Sequence, residues 1–328
     1  MDTIVSSIED FLRLQTPNTK KTYRRCLRYF VETFPELDPL TNAPGVFTMD
    51  HIHRFIDEVL FRARPVISDA TRRLYSSAVR AYFDFLDTRN LTTLSYAEVG
   101  RVFKKSLGKR TERLPHFSRD DLEIVLEYAA TLHQQPTDDE RSFFRNLRDR
   151  AFVMTLADTG LRVHEACNLR REDLDWNEGR AMVVGKGSRE NQVRFSDRAI
   201  DALRLYLRER QKLDGGTGKK LGSLPVFAQH SRRAGTGNIK PISTVTGRNI
   251  IKRLAKAALW DKPEHVERIS PHSFRHYFVT YVLQGTGNLR LTQRLARHKD
   301  ISTTTRYTHL VDQELDEAYH DLFNKRND

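Results

Sequence analysis

Apolar positions recur with a helical period along most of the chain. Residues 4–14 form a short amphipathic stretch. From Asn18, a suitable N-cap, to residue 33, Tyr23, Cys26, Leu27 and Phe30 mark one face that should meet a core. A third helix is expected over residues 50–62. A fourth, over residues 69–87, carries its apolar stripe on Leu74, Ala78, Ala81 and Phe85. Beyond residue 117 the pattern resumes: Ser118 should cap a helix reaching residue 132, and further helices fit residues 143–158 and 163–169. The period then shortens. Residues 180–184 and 192–195 read as two strands around the turn Gly185-Lys186-Gly187-Ser188. Helical spacing returns over residues 197–213, 244–259, 272–284 and 289–297, interrupted by Gly- and cation-rich loops at 214–220 and 231–238. The expected fold is mainly α with a small β-sheet, in two domains.

The polar faces are unusually basic. Lys20, Lys21, Arg24, Arg25 and Arg28 share one face of the second helix with no acid among them, and Arg72, Arg73 and Arg80 lie on the fourth. Lys104, Lys105, Lys109 and Arg110 fall in a stretch through residue 115 that reads as an extended linker able to follow a phosphate backbone. Solvated surfaces are the ordinary explanation for any one such run. Together, with a net charge of +12 over 328 residues, they favour a polyanionic partner. The domain reading is a helical unit over 1–107, a basic linker over 108–117 and a second unit over 118–328. The N-terminal stretch has no cleavable signal layout, and no apolar run approaches bilayer length. Two cysteines, Cys26 and Cys167, leave no room for a disulfide framework or a four-cysteine zinc site. The expectation is a reduced cytoplasmic protein associated with the nucleoid.

Four short segments carry candidate chemistry. Segment 158–165 (DTGLRVHE) sets Arg162 and Glu165 just past a Gly that ends a helix, and Lys186 sits at the hairpin tip. In 271–276 (PHSFRH), Pro271 suits a helix start and His272 and Arg275 share a face. His298 is followed nine residues later by Tyr307. Singly, each has an ordinary explanation: a surface ion pair, a solvated lysine, a packing tyrosine. His272 and His276 have the i, i+4 spacing of a zinc helix. The residues between them include no glutamate, and Arg275 would repel a metal, so no metal is expected.

The order and spacing of these segments resemble the tyrosine recombinase, or phage-integrase, family. Its pattern is Arg in a T-G-L-R-x-x-E box, a hairpin Lys, an H-x-x-R box, a late His and a Tyr about nine residues on. The resemblance covers residues 118–310 and falls on Arg162, Glu165, Lys186, His272, Arg275, His298 and Tyr307. The chain departs from the pattern at Arg297, where a Gly usually precedes the late His, at Phe274 for Leu and at His164 for Ser.

The resemblance implies an N-terminal core-binding bundle and a mixed α/β catalytic domain that together clamp DNA. In the implied reaction, Arg162 and Arg275 hold the phosphate, Tyr307 attacks it, His272 moves the tyrosine proton, Lys186 protonates the leaving oxygen, His298 hydrogen-bonds the phosphate and Glu165 orients the shell. No cofactor is implied. Duplex DNA with inverted half-sites is the implied substrate, bound by a dimer on each site and a tetramer in synapsis. A partner recombinase or a bending protein can join such assemblies. Apolar positions from Val311 to Phe323 make an amphipathic helix, which the resemblance assigns to docking on a neighbouring protomer. Two other readings stay open at this stage: a type IB-like topoisomerase, and a catalytically silent DNA-binding accessory protein of the same fold.

Overall fold

The computed structural model describes residues 2–62, 65–108, 118–185, 190–230, 239–298, 300–305 and 307. Lys109, Arg110, Lys186 and the expected helix over 311–323 lie outside the described residues. The chain divides into two units, Met1–Thr111 and Glu112–Asp328. It is mostly helical with one small sheet, as the sequence pattern predicts.

The first unit holds α1 (Ile4–Arg13), α2 (Pro17–Glu32), α3 (Met49–Phe55), α4 (Asp69–Thr88) and α5 (Tyr96–Leu107), with α3 widening into a π-helical stretch over Ile56–Phe61. The cap of α2 is Thr16 rather than Asn18, because Pro17 follows it with φ already set and no N–H to satisfy. The core is aromatic. The Phe30 ring lies 5.1 Å from Phe47, 5.1 Å from Phe55 and 5.3 Å from Phe34. Lys104 and Lys105 fall in the last turn of α5, not in an extended linker. Cations there complement the helix C-terminus, and the helix ends at Gly108 with φ 61°.

The second unit opens with α6 (Arg119–Thr131), capped by Ser118 as expected. Next comes α7 (Glu140–Thr159), capped by Asp139, then α8 (Val163–Asn168). An antiparallel sheet follows in the order β1 (Leu174–Asp175), β2 (Arg180–Val184), β3 (Glu190–Arg194). The short β1 carries no period of its own and was not expected. The remaining helices are α9 (Asp197–Glu209), α10 (Gln211–Gly215), α11 (Thr244–Ala258), α12 (Pro263–Val266), α13 (Pro271–Thr286), α14 (Leu289–Ala296) and α15 (Ser302–Thr305).

The single helix expected over 197–213 is split at Arg210. That side chain is 0% exposed and donates to the carbonyls of Pro225 (2.7 Å) and Val226 (2.9 Å). Helix α7 runs through the core, buried along Ala151, Phe152, Val153, Met154, Leu156 and Ala157, with α6, α9 and α13 packed against it. Among the described residues no helix is long and apolar enough to cross a membrane.

Candidate active site

Two left-handed helix ends and one helix start, gathered around the end of α7, build the site. Helix α7 stops at Gly160, in the left-handed region at φ 59°, where a Cβ would stand 2.5 Å from Cδ1 of Phe278. Only glycine fits that turn. Leu161 is buried, and the chain restarts as α8 with Arg162 at its N-cap. Glu165, three residues on, folds back over the helix start. Its Oε2 accepts the backbone N–H of Arg162 (2.8 Å) and its Oε1 accepts Nη1 of the same residue (2.9 Å).

Helix α13 supplies the second group. Ser270 caps it and Pro271 occupies its first position. Arg275 is buried and donates to two carbonyls, Gly160 and Ala296, tying the ends of α7 and α14 to α13. Burial, and then the cations of Arg162 and Arg297, push its guanidinium down to about 10, so it stays charged at neutral pH. His272 sits one turn earlier at an exposed position. Partial desolvation, followed by Arg275, Arg162 and Arg248, holds its imidazole below the usual value.

The third group lies at the end of α14. Arg297 adopts φ 56° and ψ 41°, the left-handed cap in which glycine is the usual residue. The N–H of His298 then returns to the Gln293 carbonyl (3.1 Å), so the turn forms despite the arginine. The His298 Nδ1 lies 2.8 Å from Oγ1 of Thr304 on α15. Burial, with Arg275 and Arg162 after it, pushes His298 down to about 4. The Arg297 side chain turns inward, is 6% exposed, and donates from Nη2 to Glu165 Oε2 (3.2 Å) and the Gly160 carbonyl (3.3 Å).

Tyr307 closes the cluster from the same chain. It is 2% exposed, packed with Phe278, Val279, Leu283 and Ala296, and its hydroxyl hydrogen-bonds Nδ1 of His276. The cluster that holds Tyr307 includes Ala296, whose carbonyl accepts from Arg275, so the phenol and that guanidinium belong to one neighbourhood. Arg162, Glu165, His272, Arg275, His298 and Tyr307 are therefore assembled at one place; Lys186 lies outside the described residues. Burial raises Glu165, but the charge of Arg297 and the bonds and charge of Arg162 outweigh it and leave the carboxyl below its ordinary value.

Sequence reasoning missed three members of the cluster. His276 reads from the sequence only as half of a zinc-like pair, yet its Nδ1 meets the Tyr307 hydroxyl. Arg297 reads as a departure from the family pattern, and nothing in its neighbours along the chain foretells that it turns inward onto Glu165. Arg248 on α11 reaches the site because Gly247 lets that helix close on its neighbours. A Cβ there would stand 2.9 Å from Val163 Cγ2 and 3.0 Å from Phe152 Cζ. Among the described residues no three His, Cys, Asp or Glu side chains converge as a metal site would require.

The basic faces of the first unit are partly committed. Arg24 pairs with Glu9 (2.7 Å), Arg28 with Glu32 (3.5 Å), and Arg73 with Asp69 (2.8 Å) and the Leu107 carbonyl (3.1 Å). Arg72 lies 4.9 Å over the Phe61 ring and Arg80 lies 5.7 Å over Tyr96. Lys21, Arg25, Lys104 and Lys105 are exposed and Lys20 partly so, without an ion pair among the described residues. Arg73, Arg80, Arg101 and Lys104 also line a cavity of about 500 Å³ between α4 and α5.

Two arginines, Arg162 half-exposed and Arg297 buried, thus meet the one carboxylate of Glu165, with Arg275, two histidines and a buried tyrosine in the same cluster. Residues 130–314 match the phage integrase family model. Over 328 aligned residues the chain is 30% identical to the tyrosine recombinase XerC of Pelobacter propionicus, covering 97% of this chain and 95% of that protein. It is 31% identical to the tyrosine recombinase XerD of Chlorobaculum tepidum, covering 94% and 91%.

Two solved structures share the fold. The XerH site-specific recombinase bound to palindromic difH substrate, in its post-cleavage complex, is 21% identical with a TM-score of 0.63, over 92% of this chain and 79% of that one. The Tn1549 transposon integrase in complex with transposon right end DNA is 17% identical with a TM-score of 0.63, over 93% and 94%. The chain belongs to the phage integrase family of tyrosine site-specific recombinases.

Proposed function

We propose that this chain cuts and rejoins duplex DNA through a 3′-phosphotyrosine at Tyr307. The observation that carries the reading is the convergence of Arg162, Arg275, His272, His298 and Tyr307 around the ends of α7 and α14, where Arg275 holds the Gly160 and Ala296 carbonyls and Tyr307 packs in the cluster of Ala296. Phosphoryl transfer places extra charge on the non-bridging oxygens. Two planar guanidinium forks suit them, because each binds two oxygens and stays charged. Tyr307 Oη forms the new bond to phosphorus as the bond to the 5′ oxygen breaks. The tyrosine proton passes to His272, whose charged form is disfavoured by partial burial and the nearby arginines, and Lys186 gives a proton to the leaving oxygen. The phosphodiester bond energy is retained, so the free 5′-hydroxyl can reverse the step on the same or another strand without a cofactor.

The exposed cations of the first unit, with Lys109 and Arg110, would contact the backbone of inverted half-sites. Exchange would proceed in a tetramer linked through residues 311–323, alone or with a partner recombinase or a bending protein. The test begins with the full chain and genomic DNA of its source organism, stopped with detergent so that protein-linked ends can be sequenced. A nicked duplex built on the mapped site should then give a covalent adduct whose modified peptide contains Tyr307. Absence of an adduct with the wild type, or its persistence in Y307F, would overturn the reading. Relaxation of any supercoiled plasmid without exchange would mark a topoisomerase instead.

A further inference from the structure

Arg297 breaks three local rules at once. It takes a left-handed backbone suited to glycine, it buries a cation, and its Nε and Nη1 have no hydrogen-bond partner among the described residues. A residue that defies backbone preference, solvation and hydrogen bonding together is a place to look for function. Its one engaged nitrogen, Nη2, meets Glu165 Oε2 and the Gly160 carbonyl, the same carbonyl that Arg275 uses. Glu165 is the acid that holds Arg162.

We infer that Arg297 is a positioning residue of the active site, a third guanidinium that neutralises Glu165 so that Arg162 presents its positive charge to the scissile phosphate uncompensated. With glycine at this position, Arg162 and Glu165 would form a closed neutral pair, and the site would meet the phosphorane-like state with one fewer cation. Arg297 does not touch the phosphate itself: Nε and Nη1 are buried and Nη2 is engaged. Its influence is electrostatic and passes through Glu165. The local pattern agrees, since Arg297 is the first opposing charge that holds the Glu165 carboxyl down, and it also lowers Arg275 and His298. The inference rests on the strand-cleavage reading above.

The test compares R297G, R297K and R297Q with the wild type as full chains. Three readouts are needed: thermal midpoint without DNA, affinity for the nicked duplex of the mapped site, and single-turnover cleavage at saturating protein. R297G should melt at or above the wild-type temperature and bind the duplex within about threefold, yet cleave at least tenfold more slowly, a factor worth about 1.4 kcal/mol in the barrier. R297K should recover cleavage to within about threefold, and R297Q should stay with R297G. Wild-type cleavage by R297G overturns the inference. So does a loss of cleavage that tracks a lowered melting temperature, or full activity in R297Q.

A fourth readout needs no DNA. The His298 imidazole, followed by NMR, should titrate at higher pH in R297G than in the wild type and stay near the wild-type value in R297K. If the wild type makes no adduct, the cleavage reading fails while the titration still judges the electrostatic role of Arg297; an unmoved His298 overturns it.

Discussion

The hydroxyl of Tyr307 bonds Nδ1 of His276, one turn along α13 from His272, so the residue proposed to attack DNA rests inside its own chain. His276 and His272 project from the same helix into different surroundings, the first onto the tyrosine and the second among Arg162, Arg248 and Arg275. A tyrosine that is 2% exposed should resist nitration in the free protein, whereas Tyr281, 59% exposed, should react readily. In H276A the phenol loses this hydrogen bond, and its modification should rise several-fold relative to Tyr281. Mass spectrometry of the two tryptic peptides checks this. Equal rates at Tyr307 and Tyr281 in the wild type would show that the phenol is not held.

His298 gives a pH dependence with a fixed sign. Its imidazole is pushed down to about 4, while an unfolded histidine titrates near 6.5. Between those values the unfolded chain binds the extra proton and the folded chain does not. The stability from keeping His298 neutral is therefore complete above about pH 6.5 and lost as pH falls toward 4. Glutamine can still bond Thr304 but cannot titrate. The melting temperature of the wild type should therefore fall more steeply than that of H298Q between pH 7 and 4.5. Parallel melting curves across that range would refute the assignment.

Asp214 anchors a buried network in the second unit. Arg210 Nε lies 3.0 and 3.1 Å from its two carboxylate oxygens, Arg171 donates to it as well, and Arg210 Nη1 reaches the Tyr206 hydroxyl at 3.0 Å. Removing the acid would leave two arginines without a counter-charge in a dry setting. D214A should lose about 3–5 kcal/mol in urea unfolding. The double variant D214A/R210M should lose less than D214A alone, because the stranded cation goes with it. A loss under about 1 kcal/mol in D214A would mean that water reaches these groups.

The legible parts of the site are those whose chemistry demands a residue type at a fixed spacing. Arg162 and Glu165 are three apart because a helix start folds the acid onto the arginine, and His272 and Arg275 are three apart because a helix puts them on one side. The illegible parts depend on distant partners. Helix α9 ends at Arg210 because carbonyls at 225 and 226 lie in reach. Arg24 faces Glu9 across two helices, which no inspection of α2 alone reveals. Arg248 owes its place to the tight approach at Gly247. The course of Arg297 is illegible for another reason: an arginine in a glycine conformation runs against backbone propensity.

Gly160 is where backbone geometry and chemistry meet most tightly. Its φ of 59° disfavours any other residue, and a methyl group would meet Cδ1 of Phe278 at 2.5 Å and Cγ at 3.0 Å. The left-handed conformation costs an alanine about 1–2 kcal/mol, and overpacking a core contact adds about 1–3 kcal/mol. G160A should therefore lower unfolding stability by roughly 2–5 kcal/mol, measured as a shifted urea midpoint at unchanged slope. The same carbonyl receives Arg275 and Arg297, so displacing Phe278 or the turn also moves a proposed phosphate ligand. At low temperature, where both proteins remain folded, G160A should still cleave the nicked duplex at least tenfold more slowly than the wild type. If G160A unfolds at the wild-type midpoint, the packing argument is wrong. If it is destabilised but cleaves normally when folded, the carbonyl does not set the position of Arg275.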